Sequence, residues 1–201
     1  MTTKPIPLLI LGLGNVLCSD DGVGAIAVAR LSREFDAPGG VQILDGGTLG
    51  LSLLPYLQDA RSLILVDAIR VGDALPGSLV RLEGSEVAPA VRERLSPHQV
   101  GVADLLDGAR WLDQYPESVV LLGIVPGSLE LGVALSPPVE AQLPKLVSWI
   151  VQEAQHLGKP LTRKTNHERV DPLDRLDAAR LPSLWPRGSR SPSRVPPPAR
   201  T

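Results

Sequence analysis

The chain has little of what several common classes of protein depend on. One cysteine, Cys18, occurs in 201 residues, so no intrachain disulfide can form and no cysteine-built zinc site is available. A lone thiol suits a reducing compartment, and the expected location is cytoplasmic. Aromatic residues make up only 3%, so the core must be aliphatic. Positive charge is not in excess: the formal net charge is −2, which argues against a nucleic-acid partner. No apolar run is long enough to span a bilayer, and Met1–Pro7 lacks the apolar stretch of a signal peptide. Of the three histidines, His156 and His167 fall near or in the C-terminal stretch and are expected at the surface.

Hydrophobic residues make up 43% and charged residues 21%, ordinary values for a globular domain. The charge is divided unevenly. Residues 1–158 carry a balance of −8 and residues 159–201 a balance of +6. From Lys159 the hydrophobic pattern stops, and 181–201 is rich in Pro, Ser and Arg. The reading is a folded body over 1–158 and a basic tail over 159–201 that is expected to be disordered, because it offers too little apolar surface to offset chain ordering. Nothing obliges a dimer, and the expected state is a monomer.

Within the body, "PLLILGLGN" (7–15) is an apolar run ending in glycines and reads as a strand buried on both faces. The spacing of Val23, Ile26, Ala27, Leu31 and Phe35 predicts a helix over 22–35. Strands are predicted at 41–48, 62–69, 78–83 (an edge strand, from its alternation) and 118–126. Helices are predicted at 49–60, 95–115 and 136–157. Such alternation implies an α/β fold with a twisted, mainly parallel sheet and helices on both faces. Ligands of such sheets bind beyond the carboxyl ends of the strands, where this chain places Gly12–Asp21, Asp45–Thr48 and Asp67.

"LGLGNVLCSDDGVG" (11–24) poses the functional question. Gly12-x-Gly14 follows a strand and precedes a helix, as a dinucleotide fingerprint does, but Leu17 stands where its third glycine belongs. Asp20 and Asp21 lie where a pyrophosphate would sit and would repel it. A P-loop is excluded because no Lys-Ser or Lys-Thr follows the glycines. "GLGN" also opens peptidyl-tRNA hydrolase sequences, but their following Pro-Gly and Thr-Arg-His-Asn stretches are missing here, and an acidic body does not suit tRNA. No Gly-x-Ser-x-Gly elbow supports a serine nucleophile.

A cation is the remaining ligand. Asp21 in the first loop, Asp67 ending the most apolar strand, and His98 in "SPHQ" offer two carboxylates and one imidazole, a set that binds divalent first-row metals and leaves positions open. Each has a plainer use as well. Asp20 is expected to cap the helix beginning near Gly22; Asp21 would suit the same helix dipole. Asp67 would serve a turn, and His98 a helix start. Asp45 would organise its own turn, and Cys18 would fill a small buried space.

Taken together and in order, "LGLGNVLCSDDGVG", "ILDGGTLG", "LILVDAI", "SPHQVGVADLL" and "LLGIVPGSLE" resemble the maturation endopeptidases of nickel–iron hydrogenases, over about residues 8–157. The resemblance implies a three-layer α/β/α sandwich around a five-stranded sheet. It implies removal of a short C-terminal peptide from the precursor of the hydrogenase large subunit after nickel insertion. It also implies that the nickel carried by that precursor is the recognition element, contacted by Asp21, Asp67 and His98. The Asp45–Thr48 loop resembles the family's substrate-side loop. The alternatives from other classes are a Rossmann-like protein binding a nucleotide or other small molecule, and a non-catalytic chaperone of the metal centre.

Overall fold

The structure, a computed structural model, describes residues 6–92 and 100–165. All of these lie in the unit Met1–Thr165; a second unit, Asn166–Thr201, falls outside the described residues. Five strands form the main sheet: β1 (Ile6–Leu13), β3 (Val41–Gly47), β4 (Ala60–Ala68), β5 (Leu79–Glu83) and β6 (Ser118–Ile124). Their spatial order is β3-β1-β4-β6-β5, parallel throughout except for the antiparallel edge strand β5. The expected α/β architecture and the edge position of 78–83 are both observed.

Alternation along the strands sorts the core into two halves. Leu8, Ile10, Ile64, Val66, Val120 and Leu122 pack with helices α1 (Val23–Glu34) and α5 (Pro137–His156). Leu9, Leu11, Leu63, Leu65, Val119 and Leu121 pack on the other face with α2 (Leu54–Gln58), α3 (Val87–Arg92) and α4 (Val100–Trp111). The result is three layers. Each fully buried Leu contributes roughly 1.5–3 kcal/mol of transfer free energy, so the near-absence of aromatics is no handicap. Among the described residues no helix is long and apolar enough to cross a membrane.

Three boundaries differ from expectation. The helix expected over 95–115 ends at Trp111; Asp113 then adopts a left-handed φ of 57° and the N–H of Gln114 turns back to the Ala109 carbonyl at 2.8 Å. Its expected start, 95–99, lies outside the described residues. Helix α3 was not anticipated, since Pro89 interrupts a short segment; a capping box between Glu83 and Glu86 starts the turn that leads into it. The folded body also continues past 158. β7 (Thr162–Arg163) pairs antiparallel with β2 (Phe35–Asp36), Leu161 joins the core, and the Lys164 N–H donates to the Glu34 carbonyl at 2.9 Å. One leucine flanked by polar residues is too little periodicity to read in advance. The remainder of the expected tail, 166–201, lies outside the described residues.

The winding of the sheet sets up the site. From β1 the chain moves outward to β3, then returns across β1 to β4 and onward to β6. β1 and β4 therefore flank the topological switch point, the place where such sheets receive their ligands, beyond the carboxyl ends of the strands.

Candidate active site

Sheet register brings distant residues to one level. Gly12 of β1 pairs with Asp45 on one side and Val66 on the other, and Asp67 pairs with Gly123 of β6. The register slips between Gly12 and Leu13, so that Leu13 pairs with Gly47. The 3-10 turn Ser19–Gly22 is held against β4. Two glycines permit this. A Cβ at Gly24 would collide with the carbonyl oxygens of Val66 and Leu13, and one at Gly14 (φ 112°) with that of Asp21.

Four acids are buried among the described residues: Asp20, Asp21, Asp67 and Glu153. The first three lie on this rim. Burial of a carboxylate is costly unless it is hydrogen-bonded or paired, so each position needs an explanation. Asp20, with no exposed surface, does not cap α1, whose N-terminus has no side-chain cap. Its carboxylate instead accepts the N–H groups of Gly127 (2.8 Å), Ser128 (2.9 Å) and Ser136 (2.6 Å) and the Ser136 hydroxyl (2.7 Å). Burial alone pushes this carboxyl up, but the Ser136 hydroxyl and the three N–H donors outweigh it and hold the group below the usual aspartate value. The folded state thus binds this proton more weakly than the unfolded chain. The resulting stabilisation is present above about pH 4 and is lost as pH falls through the lowered value.

Asp21 is 2% exposed, and its Oδ2 accepts the Asn15 N–H at 2.8 Å. Asp67, at the end of β4, has no exposed surface, and its Oδ1 accepts the N–H of Ala68 at 2.8 Å. The structure thus sets Asp67 at the end of β4 and Asp21 in the 3-10 turn that follows β1, the two strands that flank the switch point. His98 lies outside the described residues. Among the described residues, no group of three or more His, Cys, Asp or Glu side chains is placed to hold a metal ion; the expected trio includes His98.

The other expectations fare variously. Asp45 organises its own turn, its Oδ1 accepting the Gly47 N–H at 3.0 Å. Cys18 is half-buried and not enclosed; its backbone forms an isolated parallel bridge with Gly132. His156 is exposed as expected. Unanticipated were the roles of Ser136, Gly127 and Ser128. The sequence signals are the "IVPGS" stretch that leaves β6, for Gly127 and Ser128, and the serine before Pro137-Pro138, for Ser136; neither announces a partner in the first loop.

The loop's hydrogen bonding also speaks to ligand chemistry. The N–H of Gly14 donates to Gly47, those of Leu17 and Cys18 to Asn15, that of Ser19 to Gly132, that of Asp20 to Ser128 and that of Asp21 to Cys18, while Asn15 serves Asp21. A phosphate-binding turn must aim such donors outward. Here they point at protein acceptors, and the space above Gly14 is filled by the Asp21 backbone. The rim instead presents buried carboxylates framed by exposed apolar side chains: Leu17, Leu49, Leu51, Leu131 and Val133.

Comparison with known proteins gives this geometry a lineage. A family model described as HycI, hydrogenase maturation protease, matches residues 26–153. The hydrogenase 2 maturation protease of Escherichia coli strain K12 is 34% identical over 162 residues, spanning 80% of this chain and 99% of the relative. The hydrogenase expression/formation protein HupD of Rhodobacter capsulatus is 37% identical over 180 residues, spanning 87% and 85%. Among solved structures, the hydrogenase maturating endopeptidase HybD from E. coli superposes with a TM-score of 0.75 at 34% identity, over 79% of this chain and 98% of that one. Sequence and fold agree over the same body: the chain belongs to the hydrogenase maturation protease family.

Proposed function

We propose that the protein is an endopeptidase that removes the C-terminal peptide from the nickel-loaded precursor of a nickel–iron hydrogenase large subunit. The observation that carries this reading is the coincidence of family membership with two buried carboxylates, Asp21 in the turn that follows β1 and Asp67 at the end of β4, beside the switch point. The exposed leucines and valine on the same rim suit a polypeptide substrate better than a small polar one.

In this reading nickel belongs to the substrate. Oxygen donors from Asp21 and Asp67 and a nitrogen donor from His98 complete the coordination of the ion, which suits such a mixed set. Holding the ion holds the adjoining chain, so the scissile bond is oriented at the rim before any chemistry begins. Water then adds to the scissile carbonyl, with a carboxylate accepting its proton; the C–N bond breaks and the proton passes to the departing amine. Supporting the cationic partner is the net negative balance of the body, −8 over residues 1–158. The protein acts as a monomer in the cytoplasm.

The test is incubation of purified protein with nickel-loaded precursor, followed by mass spectrometry. Loss of a C-terminal peptide is expected, and only from the nickel-loaded form. A stable complex without loss of mass would replace the endopeptidase with a chaperone that inspects the metal centre. His98→Ala is expected to abolish processing, and parental cleavage would remove His98 from the site.

A further inference from the structure

Asp20 stands next to a proposed metal-contacting acid, yet its oxygens face the other way. Its four donors come from residues 107 to 116 positions further along the chain. Two of them belong to Ser136, the N-cap residue of the 20-residue helix α5. That serine makes no capping bond of its own, and Pro137 and Pro138 follow it, so two of the first-turn N–H groups are simply missing. The Asp20 carboxylate therefore satisfies the N–H of the N-cap residue itself, from another part of the chain, and it lies at the positive end of that helix.

The joint extends on either side of Asp20. Its N–H donates to the Ser128 carbonyl (3.2 Å), the Ser19 N–H to Gly132 (2.7 Å), the Ser19 hydroxyl to Glu130 (3.0 Å), and the Gly132 N–H returns to Leu17 (2.9 Å). Ser19 takes a left-handed φ of 48° to make these bonds, a conformation that persists only when its surroundings over-determine it. Asp21 is the next residue after this anchored pair. Its backbone carbonyl rests on Gly14 and its side chain on the Asn15 N–H.

We infer that Asp20 is a positioning residue: by locking the first loop onto residues 127–136 and the start of α5, it sets where the Asp21 carboxylate stands. This rests on the role proposed for Asp21. Asp20 itself, wholly buried and turned toward Ser136, touches no substrate. An asparagine at 20 keeps the shape but turns one acceptor into a donor facing other donors. The turn must then shift, and a displacement of about 1 Å at a reacting group costs on the order of a hundredfold in rate.

The experiment uses the full chain and nickel-loaded precursor, with kcat and KM measured for Asp20→Asn, Ser136→Ala, Asp21→Asn and Glu153→Gln. The last removes charge from a buried acid on the far part of α5 and reports what loss of stability alone does. Asp20→Asn is expected to lower kcat about tenfold to a hundredfold while KM stays near the parent, and Glu153→Gln to keep the parental kcat even where it unfolds as readily. The amide proton of Asn15, which bonds to Asp21 Oδ2 at 2.8 Å, is expected to move in the spectrum of Asp20→Asn and to stay put in Glu153→Gln. Should Asp20→Asn not fold, Ser136→Ala removes a single donor and is read in the same way, with a smaller drop in kcat. Parental kcat and an unmoved Asn15 resonance in the folded variant, beside an inactive Asp21→Asn, overturn the inference and leave the proposed function standing. Parental cleavage by Asp21→Asn removes the role of Asp21 and the inference with it. Equal losses in Asp20→Asn and Glu153→Gln reduce Asp20 to a stabilising residue.

Discussion

Two buried acids on α5's two ends are satisfied in opposite ways. Near the C-terminus of that helix, Glu153 meets a full positive charge: Arg81 reaches it with Nε at 2.8 Å and Nη2 at 3.0 Å, and also holds Glu83 at 2.7 Å. Those bonds, with Glu153 foremost, hold the Arg81 guanidinium above its ordinary value. At the other end of the helix, Asp20 meets only N–H and O–H dipoles. The first arrangement cancels charge and fastens β5 to α5. The second stabilises a carboxylate without cancelling it, so its negative field persists beside Asp21. The cation proposed for this rim would be attracted by the second kind of satisfaction and not by the first.

The sharpest way to break this contrast is at the rim itself. Asp21→Asn is expected to cut processing of the nickel-loaded precursor by about a thousandfold while the protein stays folded, as read by mass spectrometry beside circular dichroism. Asp20→Ala strands several buried donors at once, and its stability in urea is expected to fall by about 3 kcal/mol. Glu153→Gln is expected to be milder, about 1–2 kcal/mol by the same measurement, because the Arg81 side chain is 39% exposed and water can replace its partner. The smallest effect on folding is expected from Leu131→Asp. That residue is 89% exposed, so its stability should change by less than about 0.5 kcal/mol. The KM for the precursor should nevertheless rise severalfold if the apolar rim meets the substrate chain, and an unchanged KM would remove Leu131 from that surface.

The parts legible in the sequence were those whose cause is local. β1, β4 and β6 announce themselves because buried parallel strands are apolar on both faces. Asp67 stood out because it ends such a run, and Asp21 because it follows one. The partners of Asp20 were illegible for the opposite reason. A buried carboxylate and a helix cap look alike when read from the five residues around them, and only the fold reveals that its donors come from more than a hundred residues away. The same holds for α3, where Pro89 hides a short helix that tertiary packing of Val87 and Val91 secures. His98 stands out in the sequence by its residue type and by the motif around it, and it lies outside the described residues.

The clasp between Phe35–Asp36 and Thr162–Arg163 has a practical corollary. Anyone trimming the protein to a minimal working piece would be tempted to stop at Gly158, just past the end of α5. Doing so would uncover the aliphatic surface that Leu161 shields and remove the lysine that donates to the backbone of Ser32 and Glu34. A cut placed after Thr165 leaves that seam closed.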